Sequence, residues 1–273
     1  MIQQLCAAAF TLFMCTNLNA TEPVRVELPK GLQEISGLAA VGNEIVYAHN
    51  DEHGIVYKVD LNAGDITAAF ALGEPTVSGD FEGIAVRNGR VYLITSKGYL
   101  YEAPLGEHRD RVVFNLYNTG LAEVCEVEGL AIADTHAGDF FIACKTGLTE
   151  ATKDRLVVFR WHLSKRLPVG DPVIDIAFKE FLTEKQRKKF APSAIDLRDN
   201  GDVVILSARN GLIVEIPQAT GTPSVSHLDE VRHVQAEGLA IMKNGSIVIA
   251  DEGGSQKKRG AITVYPVDTL ISD

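Results

Sequence analysis

Basic charge is in short supply in this sequence. Against 36 Asp and Glu there are only 26 Lys and Arg, giving a formal net charge of −10. A surface of that sign repels phosphate backbones and anionic lipid, which argues against nucleic acid polymers and membrane surfaces as partners. After the first twenty residues no apolar run reaches the roughly 18 residues that a spanning helix needs, so no membrane span is expected. No Gly-Xaa-Ser-Xaa-Gly elbow, phosphate loop or Cys-Xaa-Xaa-Cys pair occurs, so the chemistries those motifs signal are not indicated. The only Trp, Trp161, falls on a strand pattern and reads as packing.

Cysteine is scarce as well. Of four Cys, two fall within residues 1–20. That segment reads as a secretory signal. Its apolar stretch, 5–15, is too short to cross a bilayer, and Leu18-Asn19-Ala20 ends on a small residue before Thr21. It lacks Lys and Arg, and a buried N-terminal helix is the competing reading. Export to the periplasm or medium leaves Cys125 and Cys144 in a mature chain of residues 21–273, where an oxidising compartment would let them join.

What is present is apolar and repetitive. Hydrophobic residues make up 46% of the chain, enough for a sizeable core. Ile35-Ser36-Gly37-Leu38-Ala39 recurs as Phe81-Glu82-Gly83-Ile84-Ala85, Val127-Glu128-Gly129-Leu130-Ala131 and Ala236-Glu237-Gly238-Leu239-Ala240. Pro192-Ser193-Ala194-Ile195-Asp196 is a degenerate copy. Successive copies are 46, 46, 65 and 44 residues apart, a period that signals a propeller or a helical solenoid.

The residues after each copy decide for the propeller. Asn88-Gly89, Asn200-Gly201 and Asn244-Gly245 each join two β-branched runs, as tight hairpins require. A third run follows in every repeat, and a fourth is visible at 66–72, 111–116, 173–178 and 224–228. Four strands per repeat make a propeller blade. The last repeat ends after its third strand, so segment 24–29 is expected to supply the missing one. The expected fold is all-β, a single five-bladed propeller closed by an N-terminal strand. The long third repeat holds an insertion, 146–154 and 179–189, the second part reading as a short amphipathic helix with a basic end. That basic run is either a solvated face or a docking site for an anion or partner.

In such a ring Ser36, Glu82, Glu128, Ser193 and Glu237 open the innermost strands and converge on one mouth of a narrow channel. Carboxylates crowded away from water need protonation or a counter-ion. Three Glu and two Ser oxygens suit Ca2+, while the lack of His or Cys at these positions argues against zinc. Hydrogen bonding to neighbouring backbone amides is the alternative use of the Glu side chains.

The ends of the second strands return to the same mouth. They read His49-Asn50-Asp51-Glu52, Thr95-Ser96-Lys97, Cys144-Lys145, Ser207-Ala208-Arg209-Asn210 and Asp251-Glu252. Lys97, Lys145 and Arg209 form a basic half suited to phosphate or carboxylate. Asp51 and Asp251 are candidates to position or deprotonate water, and His49, Glu52 and Glu252 to contact ligand. Pairing of the two halves with each other would use the same charges without any ligand. Cys125 and Cys144 lie near this mouth too.

The repeated Glu/Ser-Gly-Leu-Ala openings, with Asn50-Asp51-Glu52 and Ala250-Asp251-Glu252 closing second strands, resemble the SdiA-regulated family and the related esterase-like phytase domains. The resemblance spans residues 30–265 and implies an exported bacterial propeller. The ring order Ser36, Glu82, Glu128, Ser193, Glu237 is similar to that of calcium-activated nucleotidases, the apyrases. This second likeness implies an axial Ca2+, and places Asp51, Lys145 and Arg209 where that family has acidic and basic residues. The chain departs from it at Asn50-Asp51-Glu52-His53 and in its shorter length. Two functions are therefore expected. One is a Ca2+-dependent hydrolase of a small phosphorylated compound, acting as a monomer. The other is a non-catalytic ligand-binding or scaffold propeller pinned by the ion.

Overall fold

The computed structural model describes residues 22–133, 138–254 and 259–267. The secretory segment expected over 1–20 lies outside them. Five antiparallel sheets follow one another along the chain. Blade 1 runs Ile35–Val41, Ile45–Asn50, Ile55–Asp60 and Asp65–Leu72 from the axis outwards. Blades 2, 3 and 4 repeat the order, starting at Phe81–Arg87, Cys125–Ile132 and Ala194–Leu197. Blade 5 takes Ala236–Ile241, Ile247–Asp251 and Ala261–Tyr265 from the C-terminal part of the chain. Its outer strand is Val24–Glu27, antiparallel to Ala261–Tyr265 with Val24 opposite Val264. The innermost strands touch in a closed circuit, blade 1 to 2, 3, 4, 5 and back to 1. This is the five-bladed β-propeller closed by its N-terminal strand.

The hairpins follow from their turn residues. Asn88 and Gly89 have φ of 50° and 71°, the two left-handed residues of a type I′ turn, and Arg87 pairs with Arg90 across it. At Asn200-Gly201 and Asn244-Gly245 only the glycine is left-handed. The core is divided among the blades. Each of five clusters of buried apolar side chains fills one interface between neighbours, such as Ile94, Val127 and Phe140 between blades 2 and 3. Trp161 lies in that same interface, 1% exposed, against Phe140 and Tyr117.

Two expectations are corrected here. Segment 111–116 is not one outer strand. Arg111–Val112 joins blade 1 as a fifth strand, parallel to Asp65–Leu72, and Asn115–Asn118 closes blade 2. The outer strand of blade 1 is eight residues long and would otherwise leave an open edge; Ala71 and Gly73 donate to the carbonyls of Asp110 and Val112. The insertion is likewise less helical than its pattern. A single turn at Phe178–Glu180 precedes a four-residue helix, α1 (Glu184–Arg187), capped by Thr183. Its apolar face does bury: Phe178, Phe181 and Phe190 stack edge to face, holding the segment onto blades 3 and 4.

Candidate functional site at the axial mouth

The repeated motif builds the mouth by means of bulges. Along the pairing of first and second strands, Ser36, Glu82, Glu128 and Glu237 are the residues skipped in register. A bulged residue is turned away from the regular face of its sheet. The following glycine lets the strands close in. A Cβ on Gly83 would stand 2.7 Å from the backbone nitrogen of Leu130, and one on Gly129 2.9 Å from Ile195 Cγ2. In the fourth copy Ser193 precedes the strand, and its hydroxyl donates to the carbonyl of Ala236 at 3.2 Å while accepting from the Ala208 amide at 3.2 Å. The Ser36 hydroxyl donates to the carbonyl of Glu34 at 3.3 Å.

Glu128 lies near enough to Glu82 and to Glu237 for its charge to act on each. Burial, then the charge of Glu128, pushes Glu82 up to about 9. Burial and Glu128 together raise Glu237 to about 7. Glu128 is also raised by burial, but Nζ of Lys145 donates to its Oε1 at 2.6 Å and opposes the rise. Oε2 of Glu128 is buried and has no hydrogen-bond partner among the described residues. Lys145 also feels Glu82 and Glu126, and its own pKa rises against the cost of burial. Among the described residues no three His, Cys, Asp or Glu side chains are already gathered at metal-ligand spacing.

The second-strand ends divide into exposed and buried groups. Lys97 and Arg209 are exposed, and among the described residues no acidic side chain pairs with either. Lys145 is not with them: it is turned inward onto Glu128. Asp51 is half-buried with a free carboxylate, Glu52 is exposed, and Glu252 accepts from Gln235 Nε2. Burial raises the Glu252 pKa, helped by Glu34 and Asp51, so the acidic half of the rim is a real cluster. Asp80 adds to it beside Glu82, accepting from the Ser96 hydroxyl at 2.5 Å. The motif pattern did not single out Asp80 because it lies before the repeated segment.

Two expected mouth residues are buried inside the blades. Asp251, 3% exposed, accepts from Arg25 at 3.0 Å and from Nδ1 of His233 at 2.9 Å. Nε2 of His233 meets the Tyr265 hydroxyl at 2.6 Å. His49 is 0% exposed, its Nδ1 donates to the Asn50 carbonyl at 3.0 Å, and burial pushes its pKa down to about 4. Its unpartnered Nε2 takes the space that a side chain on Gly37 would fill, 2.4 Å from that Cβ position. The matching positions in the other blades are Ile94, Ala143, Leu206 and Ala250, so His49 is an imidazole where four repeats place an aliphatic group.

A disulfide joins Cys125, which opens the first strand of blade 3, to Cys144 beside Lys145. Inward from the mouth the channel narrows to a void of about 10 Å3 lined by Ser36, Glu82 and the motif glycines Gly37, Gly83 and Gly129. At the opposite end it opens into a funnel of about 330 Å3 whose exposed lining is largely polar, with Asp196, Asp199 and Lys243 as its charged residues.

No family model and no curated protein sequence matches the chain. Solved structures do. A luciferin-regenerating enzyme superposes with a TM-score of 0.53 at 10% identity, over 90% of this chain and 96% of that one. The PQQ-bound aldose sugar dehydrogenase of Streptomyces coelicolor gives a TM-score of 0.51 at 14% identity, over 89% and 98%. At such identities the likeness is one of fold, and function must be argued from the site.

Proposed function

We propose that the protein is an exported calcium-binding propeller, of the SdiA-regulated or phytase-like kind, that acts as a monomer on a small phosphorylated compound. The observation that carries this reading is the unbalanced charge at the axis. Glu82, Glu128 and Glu237 face one ammonium, Lys145, and one Glu128 oxygen has no donor. Without a further cation the crowding is relieved by protonating carboxylates, Glu82 first and Glu237 in part, at neutral pH. A hard divalent ion relieves it without the proton, and the ring offers oxygen donors alone.

Glu82, Glu128 and Glu237 would hold the ion, with the hydroxyls of Ser36 and Ser193. When bound, the ion supplies charge neutralisation and a Lewis-acid centre. With the ion on Glu128, Lys145 would be free to join Lys97 and Arg209 as a third cation for phosphoryl oxygens. Asp51, with its carboxylate free, orients a water or takes its proton. Asp251 is already engaged by Arg25 and His233, and its role is to hold blade 5. The Cys125–Cys144 disulfide suits an oxidising compartment.

The test is elemental analysis of the purified protein, then melting with and without chelator, then phosphate release from a nucleotide and phytate panel. Bound calcium, a chelator-sensitive Tm and chelator-sensitive release support the reading. Absence of both metal and a Ca2+-dependent Tm overturns the axial site. The buried position of Asp251 favours a second reading, a ligand-binding or scaffold propeller pinned by the ion. A Ca2+-dependent Tm without turnover selects it.

A further inference from the structure

The third repeat is about 20 residues longer than its neighbours because of its insertion, and apart from Thr146 and Gly147, which extend the second strand, that extra chain lies outside the blade. It forms a groove instead. Asp154 adopts a left-handed φ of 56°, and its carbonyl accepts from the Phe178 amide at 3.0 Å, so loop 146–154 is tied to segment 178–189. Thr152 Oγ1 anchors the loop to the Val124 carbonyl at 3.1 Å, and Asn210 of blade 4 donates to the Gln186 carbonyl at 3.2 Å. The two walls enclose a cavity of about 530 Å3 floored by Ala177 and Phe178. That volume is within the range of small-molecule sites.

The walls carry Lys153, Arg155, Lys179, Arg187 and Lys188 against Asp154 and Glu184. Arg155 is held by Asp175, and Lys188 lies 3.1 Å from Glu184. The side chains of Lys153, Lys179 and Arg187 have no partner among the described residues. Three unpaired cations around one concavity are unusual in a chain of net charge −10. Screening over about 8 Å at physiological salt lets this patch act on a ligand independently of the acidic surface elsewhere. The groove also opens on the same face as the axial mouth. Arg155 starts the third strand and Ala177 ends the fourth at the end of blade 3 where Glu128 enters and Lys145 approaches the end of its strand.

We propose that this groove is a binding site for a compact polyanion bearing phosphoryl or carboxylate oxygens. Lys153, Lys179 and Arg187 grip the oxygens, and Phe178 packs against any apolar part. The site stands apart from the axial ion and does not depend on it. Tripolyphosphate, citrate and a hexaglutamate peptide are titrated calorimetrically into the metal-free full chain. Saturable binding of tripolyphosphate or citrate is expected, the tighter of the two naming the oxygen chemistry. Arg187→Glu and Lys179→Glu each weaken it by about tenfold or more, with melting temperature unchanged because both residues are exposed. No saturable binding overturns the proposal. Loss through Lys97→Ala instead places the anion at the mouth and also overturns it. So does hexaglutamate binding more tightly than either small anion, which makes the groove a peptide surface. Metal is stripped beforehand on a chelating resin and no soluble chelator is added to the titration, so failure here leaves the axial reading untouched.

Discussion

Nζ of Lys145 lies 2.6 Å from Oε1 of Glu128, the carboxylate whose charge acts on both Glu82 and Glu237. The Glu128 side chain is 6% exposed and that of Lys145 23%. Removing the ammonium would leave a buried carboxylate beside two others. Lys145→Met should destabilise the calcium-free protein by about 2–3 kcal/mol, less than for a fully buried pair because water reaches Lys145. Saturating Ca2+ should recover most of the loss. Denaturant titration in chelator and in Ca2+ measures both effects, and equal losses in the two buffers would contradict the proposed exchange between ion and lysine.

Glu82 and Glu237 make the calcium-free protein sensitive to alkali. Their folded pKa values, about 9 and about 7, lie above the ordinary carboxylate value. The folded state therefore binds more protons than the unfolded chain, and stability from these groups falls as pH rises from about 5 to about 9. Calcium replaces the protons, so the decline should flatten in its presence and Ca2+ affinity should rise over the same interval. Glu82→Gln, which keeps a neutral side chain at every pH, should flatten the calcium-free decline and reduce the Ca2+-induced rise in Tm. Melting curves across that interval decide the matter.

Gly83 governs how closely blades 2 and 3 approach. Its α-carbon faces the Leu130 backbone, where nothing can rotate aside. Gly83→Ala should cost about 2–3 kcal/mol by forcing the two innermost strands apart. Gly89→Ala is an informative contrast, since no atom lies within 4 Å of its Cβ position and only its φ of 71° is strained. A smaller loss is expected there, near about 1 kcal/mol. Comparable losses at both sites would mean that the close approach matters little.

His233 fastens the ring closure. It bridges Asp251 on the second strand of blade 5 to Tyr265 on the third, while Arg25 from the N-terminal strand takes the same Asp251 oxygen. His233→Ala should lower stability by about 2–4 kcal/mol, since it strips a donor from a buried carboxylate. Amide exchange should accelerate first in Val24–Glu27 and Ala261–Tyr265, because these strands join the two ends of the chain. Exchange rising uniformly over all five blades would show that closure is not the weak point.

Most of what was legible beforehand is encoded within a single repeat or in the count and recurrence of its parts. The hairpin at Asn88-Gly89 and the order Ser36, Glu82, Glu128, Ser193, Glu237 are of this kind. The burial of Phe178 and Leu182 follows from local amphipathic spacing, although the helix shrank to one turn of α1. The strand at 111–116 was misassigned because its first half pairs with a neighbouring blade, and no periodicity within its own repeat reports that.

By itself, then, the sequence determined the number of blades, the closing strand and the ring order, because hydrophobic period and turn chemistry act over a few residues. Only the tertiary structure decided which charges meet. Lys145 and Arg209 look equivalent at their strand ends, yet one is turned onto Glu128 and the other stays exposed. Asp51 and Asp251 look equivalent, yet one is free and the other is held by Arg25 and His233. Partners of this sort come from different blades or from the far end of the chain, and bulges and blade packing set their approach. Pairing therefore depends on the closed ring and not on any one repeat.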